Sequence, residues 1–232
     1  MLRIGHRGAA GTAPENTITS MKKALTTGVD AVEFDVHRTR DGQLVVIHDP
    51  TLNRTSTGSG AVGQLTMDEI RRHDAGSWKS PEYAGERIPS LAELVAAVPA
   101  PTVLFLELKA GSFMYPGIEQ DLARFITEHG ITDRVQISSF DHHALRLLRA
   151  LLPTVETGML YYAKPIDPIG MARACGATAL HPMWMYVSPE DVAEAHAAGL
   201  KMNVWTPNTV DDIAHCKTLG VDGIITDYPE RL

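Results

Sequence analysis

Glu33 and Asp35 stand one residue apart in the segment AVEFDV, between an HRG triplet with His6 and Arg7 and an IHDP stretch with His48. Side chains alternate across a strand, so acids at i and i+2 share a face and can converge on one cation while Phe34 and Val36 enter apolar packing. A third acid occurs in similar surroundings: TVLFLELK is apolar and β-branched until it presents Glu107 and Lys109, again on one face. Charge inside an apolar strand needs a partner. An all-oxygen set of Glu33, Asp35 and Glu107 suits a hard divalent cation, Mg2+ or Ca2+, rather than Zn2+. His6 and His48, with ordinary pKa values of about 6.5, make a candidate general acid and base pair near neutrality. Arg7 offers a forked donor to phosphate oxygens and Lys109 a point charge. Three carboxylates, a divalent cation and two basic side chains leave a single positive charge, the complement of one phosphodiester. Each residue taken singly has a plainer reading as a rim acid, a strand-ending histidine or an internal ion pair. Their joint occurrence at comparable strand ends favours a site.

The elements that must position these groups follow from strand-like runs alternating with amphipathic ones, the pattern of parallel strands joined by crossover helices. Strands are expected at RIGH, AVEFDV, LVVIH, TVLFLELK, RVQISSF, TVETGML, ATALHP, KMNVWT and DGIITD. Helices are expected near residues 16–27, 91–97, 118–129, 142–152, 168–175, 189–198 and 210–219, with Gly28, Gly130, Gly176, Gly199 and Gly220 as left-handed stops. Asp41 and Gly42 are expected as a two-residue hairpin turn, which would set Arg40 against Gln43 and Asp35 opposite His48. That hairpin absorbs the ninth strand. The rest gives an α/β TIM (β/α)8 barrel with a β-hairpin after its second strand and its polar strand ends gathered at the C-terminal face. Residues 51–89, rich in Gly, Ser and Thr, are too long for an ordinary connection and are expected as a small insertion over that face.

A chain of 232 residues suffices for one domain over 1–232 with a full core. With 21% charged and 44% hydrophobic residues it reads as globular, and its formal charge of -7 argues against a nucleic-acid or anionic-lipid surface. The expected partner is a small-molecule phosphodiester, with no nucleic acid and no stable membrane insertion. Exposed aromatic patches leave room for a homo-oligomer. Cys175 and Cys216 lie in expected helices and read as reduced packing residues. No signal-like or membrane-spanning segment is evident, so a cytoplasmic location is expected.

The ordered set HRG, PENT, EFDV, DG, HDPTL, RT with a following Gly, ELK, SSF, WTPN and DGIITDYP closely resembles the glycerophosphodiester phosphodiesterase family across essentially the whole chain. The resemblance implies a (β/α)8 barrel that hydrolyses glycerophosphodiesters to sn-glycerol 3-phosphate and an alcohol with a divalent metal. It also implies His6 and His48 as acid and base, Glu33, Asp35 and Glu107 as metal carboxylates, and Arg7 and Lys109 as phosphate contacts. Glu15 and Trp205 join the substrate-binding set. Glu15 would either orient His6 or Arg7 or complement the positive end of the helix beginning beside it. Trp205 would either wall the substrate or pack. Asn16 reads as an N-cap, His181 as a satisfied rim histidine, and His37 carries no positional argument. Phe113, Met114 and Tyr115 are expected to face Trp184, Met185 and Tyr186 across the mouth as a lip for an alkyl chain. Two alternatives stand beside this reading: a phospholipase D-like or cyclising lyase acting on lysophospholipids, and a non-catalytic phosphate-ligand sensor. The paired histidines disfavour the sensor.

Overall fold

A computed structural model describes residues 1–232. The strands are β1 (Leu2–Gly5), β2 (Ala31–Arg38), β3 (Leu44–Val46), β4 (Val103–Leu108), β5 (Val135–Ser139), β6 (Glu156–Tyr161), β7 (Ala179–Pro182), β8 (Lys201–Trp205) and β9 (Gly223–Thr226). The helices are α1 (Ile18–Thr26), α2 (Met67–Ile70), α3 (Leu91–Ala97), α4 (Ile118–Glu128), α5 (His142–Leu151), α6 (Pro168–Cys175), α7 (Pro189–Ala197) and α8 (Val210–Thr218). Eight parallel strands close into a barrel because β1 pairs with both β9 and β2. β3 lies outside the closure, antiparallel on the upper end of β2. The five expected stop glycines all take positive φ, so each helix turns back toward its strand at the expected residue.

The hairpin register differs from the expected one. Val36 pairs with Val46, His37 with Val45 and Arg38 with Leu44. The Thr39 N–H donates to the Gln43 carbonyl at 2.9 Å, which leaves a three-residue loop, 40–42. A two-residue turn of the expected kind needs positive φ at Asp41 as well as Gly42, and only Gly42, at 80°, has it. Thr39 Oγ1 closes the loop by donating to Asp41 Oδ1 at 2.6 Å and accepting from the Gln43 N–H at 2.9 Å. Asp35 therefore faces Ile47, whose N–H reaches the Asp35 carbonyl at 3.1 Å, and His48 lies beyond the ladder.

Outward-facing Phe34, Val36, Leu104, Leu106 and Leu108 pack with Leu91, Leu94, Ile118 and Leu122 in the largest apolar cluster. On the far side Met159, Leu180, Met202, Val204 and Ile224 meet α6–α8, where both cysteines are buried and free. Ile4, Ala31, Phe105 and Ile225 plug the barrel interior below the polar residues. At roughly 1.5–3 kcal/mol for each large side chain buried, these layers give the strand ends a rigid base. Residues 51–89 build a small core of their own on the hairpin, with Leu52, Val62, Met67 and Ile70 against Val45 and Ile47. That segment also leans on the loop after β1, where Lys79 Nζ donates to the Ala10 carbonyl at 2.7 Å and the Tyr83 hydroxyl to that of Thr12 at 2.9 Å. No helix is long and apolar enough to cross a membrane.

Candidate active site

Parallel pairing sets Asp35 beside Glu107 and Glu33 beside Phe105, so the three acids converge at the top of the barrel interior. One oxygen from each lies within 4.8 Å of the others, and all three residues are buried. Asp35 Oδ2 accepts from Asn16 Nδ2 at 2.7 Å and lies 3.1 Å from Arg7 Nε. Asp35 Oδ1 has no hydrogen-bond partner, although Lys109 Nζ is 3.4 Å away and donates to Glu107 Oε1 at 2.6 Å. Burial, then the Asp35 charge, pushes the Glu107 carboxyl up to about 7 and raises Glu33 well above its usual range. Burial alone would raise Asp35 too, but Arg7, Lys109 and His48 hold it well below the carboxylate range. An oxygen-only cluster with an orphaned buried oxygen and two destabilised carboxylates fits a hard divalent cation.

The loop from β1 to α1 wraps this cluster. A Cβ on Gly5 would lie 2.5 Å from the Gly8 carbonyl oxygen, so only glycine permits the close turn that follows the strand. Arg7 and Asn16 hold left-handed backbone at φ 47° and 60°, conformations that cost roughly 1–3 kcal/mol and cluster at functional sites. The strain is offset by bonds to the acids. The Arg7 N–H donates to Glu33 Oε2 at 2.9 Å, and Asn16 Oδ1 accepts from the Asp35 N–H at 3.2 Å. Asn16 is thus an Asp35 partner rather than a cap; Thr17 caps α1. Glu15 Oε1 takes Arg7 Nη1 at 2.9 Å, so it orients Arg7 rather than His6.

Both histidines carry a carboxylate on Nδ1, and neither Nε2 makes a hydrogen bond, that of His6 lying 3.8 Å from Glu33 Oε2. His6 Nδ1 meets Asp227 Oδ1 at 2.6 Å, and Asn208 Nδ2 donates to Asp227 Oδ2 at 2.7 Å. His48 Nδ1 meets Asp49 Oδ1 at 2.7 Å. Arg54 bridges Asp49 and Glu15 with bonds of 2.8–2.9 Å, linking the His48 support to the Arg7 support. Burial lowers the His48 imidazole below its ordinary value against the opposing pull of Asp35. Asp227, Asp49, Arg54 and Asn208 received no role from the sequence, although they lie in the DGIITDYP, HDP, RTSTG and WTPN stretches respectively. His37 was also passed over. Strand alternation places it on the same face as Glu33 and Asp35, which was the available signal.

A cavity of about 130 Å³ joins these groups. His6, Arg7, Glu33, His48, Glu107 and Lys109 line one side, and Phe140, Leu160, Trp205 and Ile225 the other. Trp205 Nε1 donates to the His181 carbonyl at 2.7 Å, and Phe140 and Tyr162 pack around its ring at 5.7 and 6.0 Å between centroids. His181 is no rim residue. It lies wholly buried inside the barrel, where a Cβ on Gly158 would come within 2.4 Å of its ring. Its Nδ1 has no partner, and burial lowers its imidazole to about 3. The expected lip is incomplete: Phe113 and Met185 are exposed, but Tyr115 is buried against His37 and Trp184 turns toward His215.

Comparison with known proteins matches residues 6–231 to the glycerophosphoryl diester phosphodiesterase family. A glycerophosphodiester phosphodiesterase of Caldanaerobacter subterraneus is 42% identical over 232 residues, which cover 100% of this chain and 96% of that protein. One from Bacillus altitudinis is 37% identical over 98% of this chain and 95% of its own. Among solved structures, an Oleispira antarctica phosphodiesterase in complex with the product sn-glycerol-3-phosphate superposes with a TM-score of 0.89 at 31% identity, over 98% of this chain and 93% of that one. A glycerophosphodiester phosphodiesterase from Agrobacterium tumefaciens gives 0.87 at 27% identity, over 100% and 98%.

Proposed function

From the premise that the chain belongs to the glycerophosphoryl diester phosphodiesterase family and is a phosphoric diester hydrolase, we propose that it cleaves glycerophosphodiesters to sn-glycerol 3-phosphate and an alcohol, with a divalent cation on Glu33, Asp35 and Glu107. The observation that carries this reading is the opening of the acid cluster and two carboxylate-backed histidines into one cavity. The product complex of the Oleispira relative supports a small-molecule substrate. A cation at the three acids, Mg2+ or Ca2+, supplies charge neutralisation of the phosphoryl oxygens and acidification of a hydroxyl.

The protein's own groups do the rest. Arg7, kept in place by Glu15, and Lys109 orient the phosphoryl group beside the acids. His48, held neutral by burial, accepts the proton of the attacking hydroxyl at Nε2, because its Nδ1 hydrogen is committed to Asp49. His6, whose Nδ1 is committed to Asp227, delivers a proton from Nε2 to the leaving alkoxide. Trp205 and Phe140 keep the facing wall apolar and limit water there.

Glycerophosphocholine incubated with Mg2+ or Ca2+ should yield free glycerol 3-phosphate by phosphorus NMR. Excess EDTA should abolish turnover while the circular dichroism spectrum stays that of the folded barrel. Asp35→Asn should need roughly 10–100-fold more metal for the same rate. Full turnover in EDTA would remove the acids from a metal role, and a cyclic phosphate as the final product would replace hydrolysis by the cyclising reaction.

A further inference from the structure

We propose that His37 and Tyr115 are positioning residues that fix His48, an inference that rests on the reading of His48 as a proton-transfer group. His37 is 2% exposed and sits two residues beyond Asp35 on the inward face of β2. Its Nε2 lies 3.0 Å from the His48 carbonyl and its Nδ1 lies 2.9 Å from the Tyr115 hydroxyl. A carbonyl only accepts, so Nε2 carries the ring hydrogen and Nδ1 accepts from Tyr115. Both ring nitrogens are used, and the ring is buried between its two partners.

His48 requires such a tie because the barrel does not provide one. The last ladder bond between β2 and the β3 segment ends at Ile47, and the chain then leaves the sheet. Asp49 fixes the His48 ring, whereas His37 fixes its backbone, so the imidazole is held at two points. Tyr115 is seated in turn. Its N–H donates to the Gly111 carbonyl at 3.1 Å, and a Cβ on Gly63 would come within 2.9 Å of its ring. Two residues before it stands Phe113, 85% exposed at the barrel mouth. The loop after β4 is thereby joined through two hydrogen bonds to the backbone of His48.

A plain core role and a positioning role separate in kinetics. With glycerophosphocholine at saturating metal, His37→Leu should lower kcat about 10- to 100-fold, the cost of a small misplacement of a reacting group, while KM and the metal concentration for half-maximal rate move less than about twofold. His37→Gln should recover to within about threefold of wild type, because one amide can accept from Tyr115 and donate to the His48 carbonyl. Tyr115→Phe should lower kcat about threefold or more at constant KM. Wild-type kcat in His37→Leu, a loss appearing mainly in KM, or no recovery in His37→Gln overturns the proposal. If His37→Leu does not fold, Tyr115→Phe decides, and wild-type kcat there overturns it. His48→Ala run alongside separates the two levels: retained kcat in that variant fails the reading of His48 itself, whereas its loss beside an unaffected His37→Leu fails only the positioning.

Discussion

His6 and His48 face one cavity from opposite kinds of support. The His6 N–H continues the barrel ladder to the Thr226 carbonyl at 2.8 Å, and its imidazole is braced by Asp227 from the end of the next strand round, 221 residues away in sequence. His48 stands past the end of a three-residue strand that is not part of the closed barrel, braced by its chain neighbour Asp49, by Arg54 from residues 51–89 and by the buried His37. The barrel register therefore places one histidine directly. The other is placed largely from loops, through Asp49 and Arg54, whose bonds can be removed one at a time without touching the barrel; only the His37 bond comes from a barrel strand, β2. Loops carry the variable chemistry of barrel enzymes for this reason.

If both histidines transfer protons, their removal should cost alike despite their unlike supports. His6→Ala and His48→Ala should each lower kcat roughly 100-fold or more while the metal requirement stays near wild type, and the double variant should be little worse than either single one. Wild-type kcat in either variant would break the pairing.

The supports should cost unequally. Asp227→Asn leaves the barrel intact and should lower kcat roughly 10–100-fold at constant KM, since Asp227 touches only the His6 side of the site. Arg54→Met should lower kcat about tenfold and also raise KM, because Arg54 holds Asp49 and Glu15 together and Glu15 holds Arg7. Steady-state kinetics on the two variants would show it. An unchanged KM in Arg54→Met would mean that Glu15 holds Arg7 without help.

This division also explains what the sequence made legible. Period-two and period-3.6 patterns located every barrel strand and seven of the eight helices, and the left-handed stops fell on the expected glycines, because these features follow from local chemistry. The short helix α2 was not resolved within the insertion. The cluster of Glu33, Asp35 and Glu107 followed from strand alternation. The hairpin register did not, because Thr39 and Asp41 close a longer loop than the Asp-Gly pair suggested, through side-chain bonds that composition does not reveal. Arg54 and Asp227 act across long sequence separations, and the burial of His181 depends on a glycine on the neighbouring strand, Gly158 on β6. Such residues carry no local pattern of their own.

The smallest expected effect separates the two histidines by pH. Burial lowers the His48 imidazole below its ordinary value, while the bond to Asp49 pulls the other way. A general base must be unprotonated, so if His48 has that role activity should fall as pH drops through its pKa, with that acid limb below about pH 6.5. Stability shares the sign. Between the folded and unfolded pKa values the unfolded chain binds the proton more readily, so the contribution of His48 is present above the unfolded value and is lost as pH falls through the folded one. Asp49→Asn removes one of the two interactions that raise the His48 pKa, the other being the Asp35 charge, and should move the acid limb to lower pH by a fraction of a unit. Asp227→Asn should leave it in place, because Asp227 bonds to His6 and not to His48. Profiles of kcat/KM against pH for the two variants test this directly. An acid limb that moves in Asp227→Asn and stays fixed in Asp49→Asn would transfer the base role to His6 and invert the comparison.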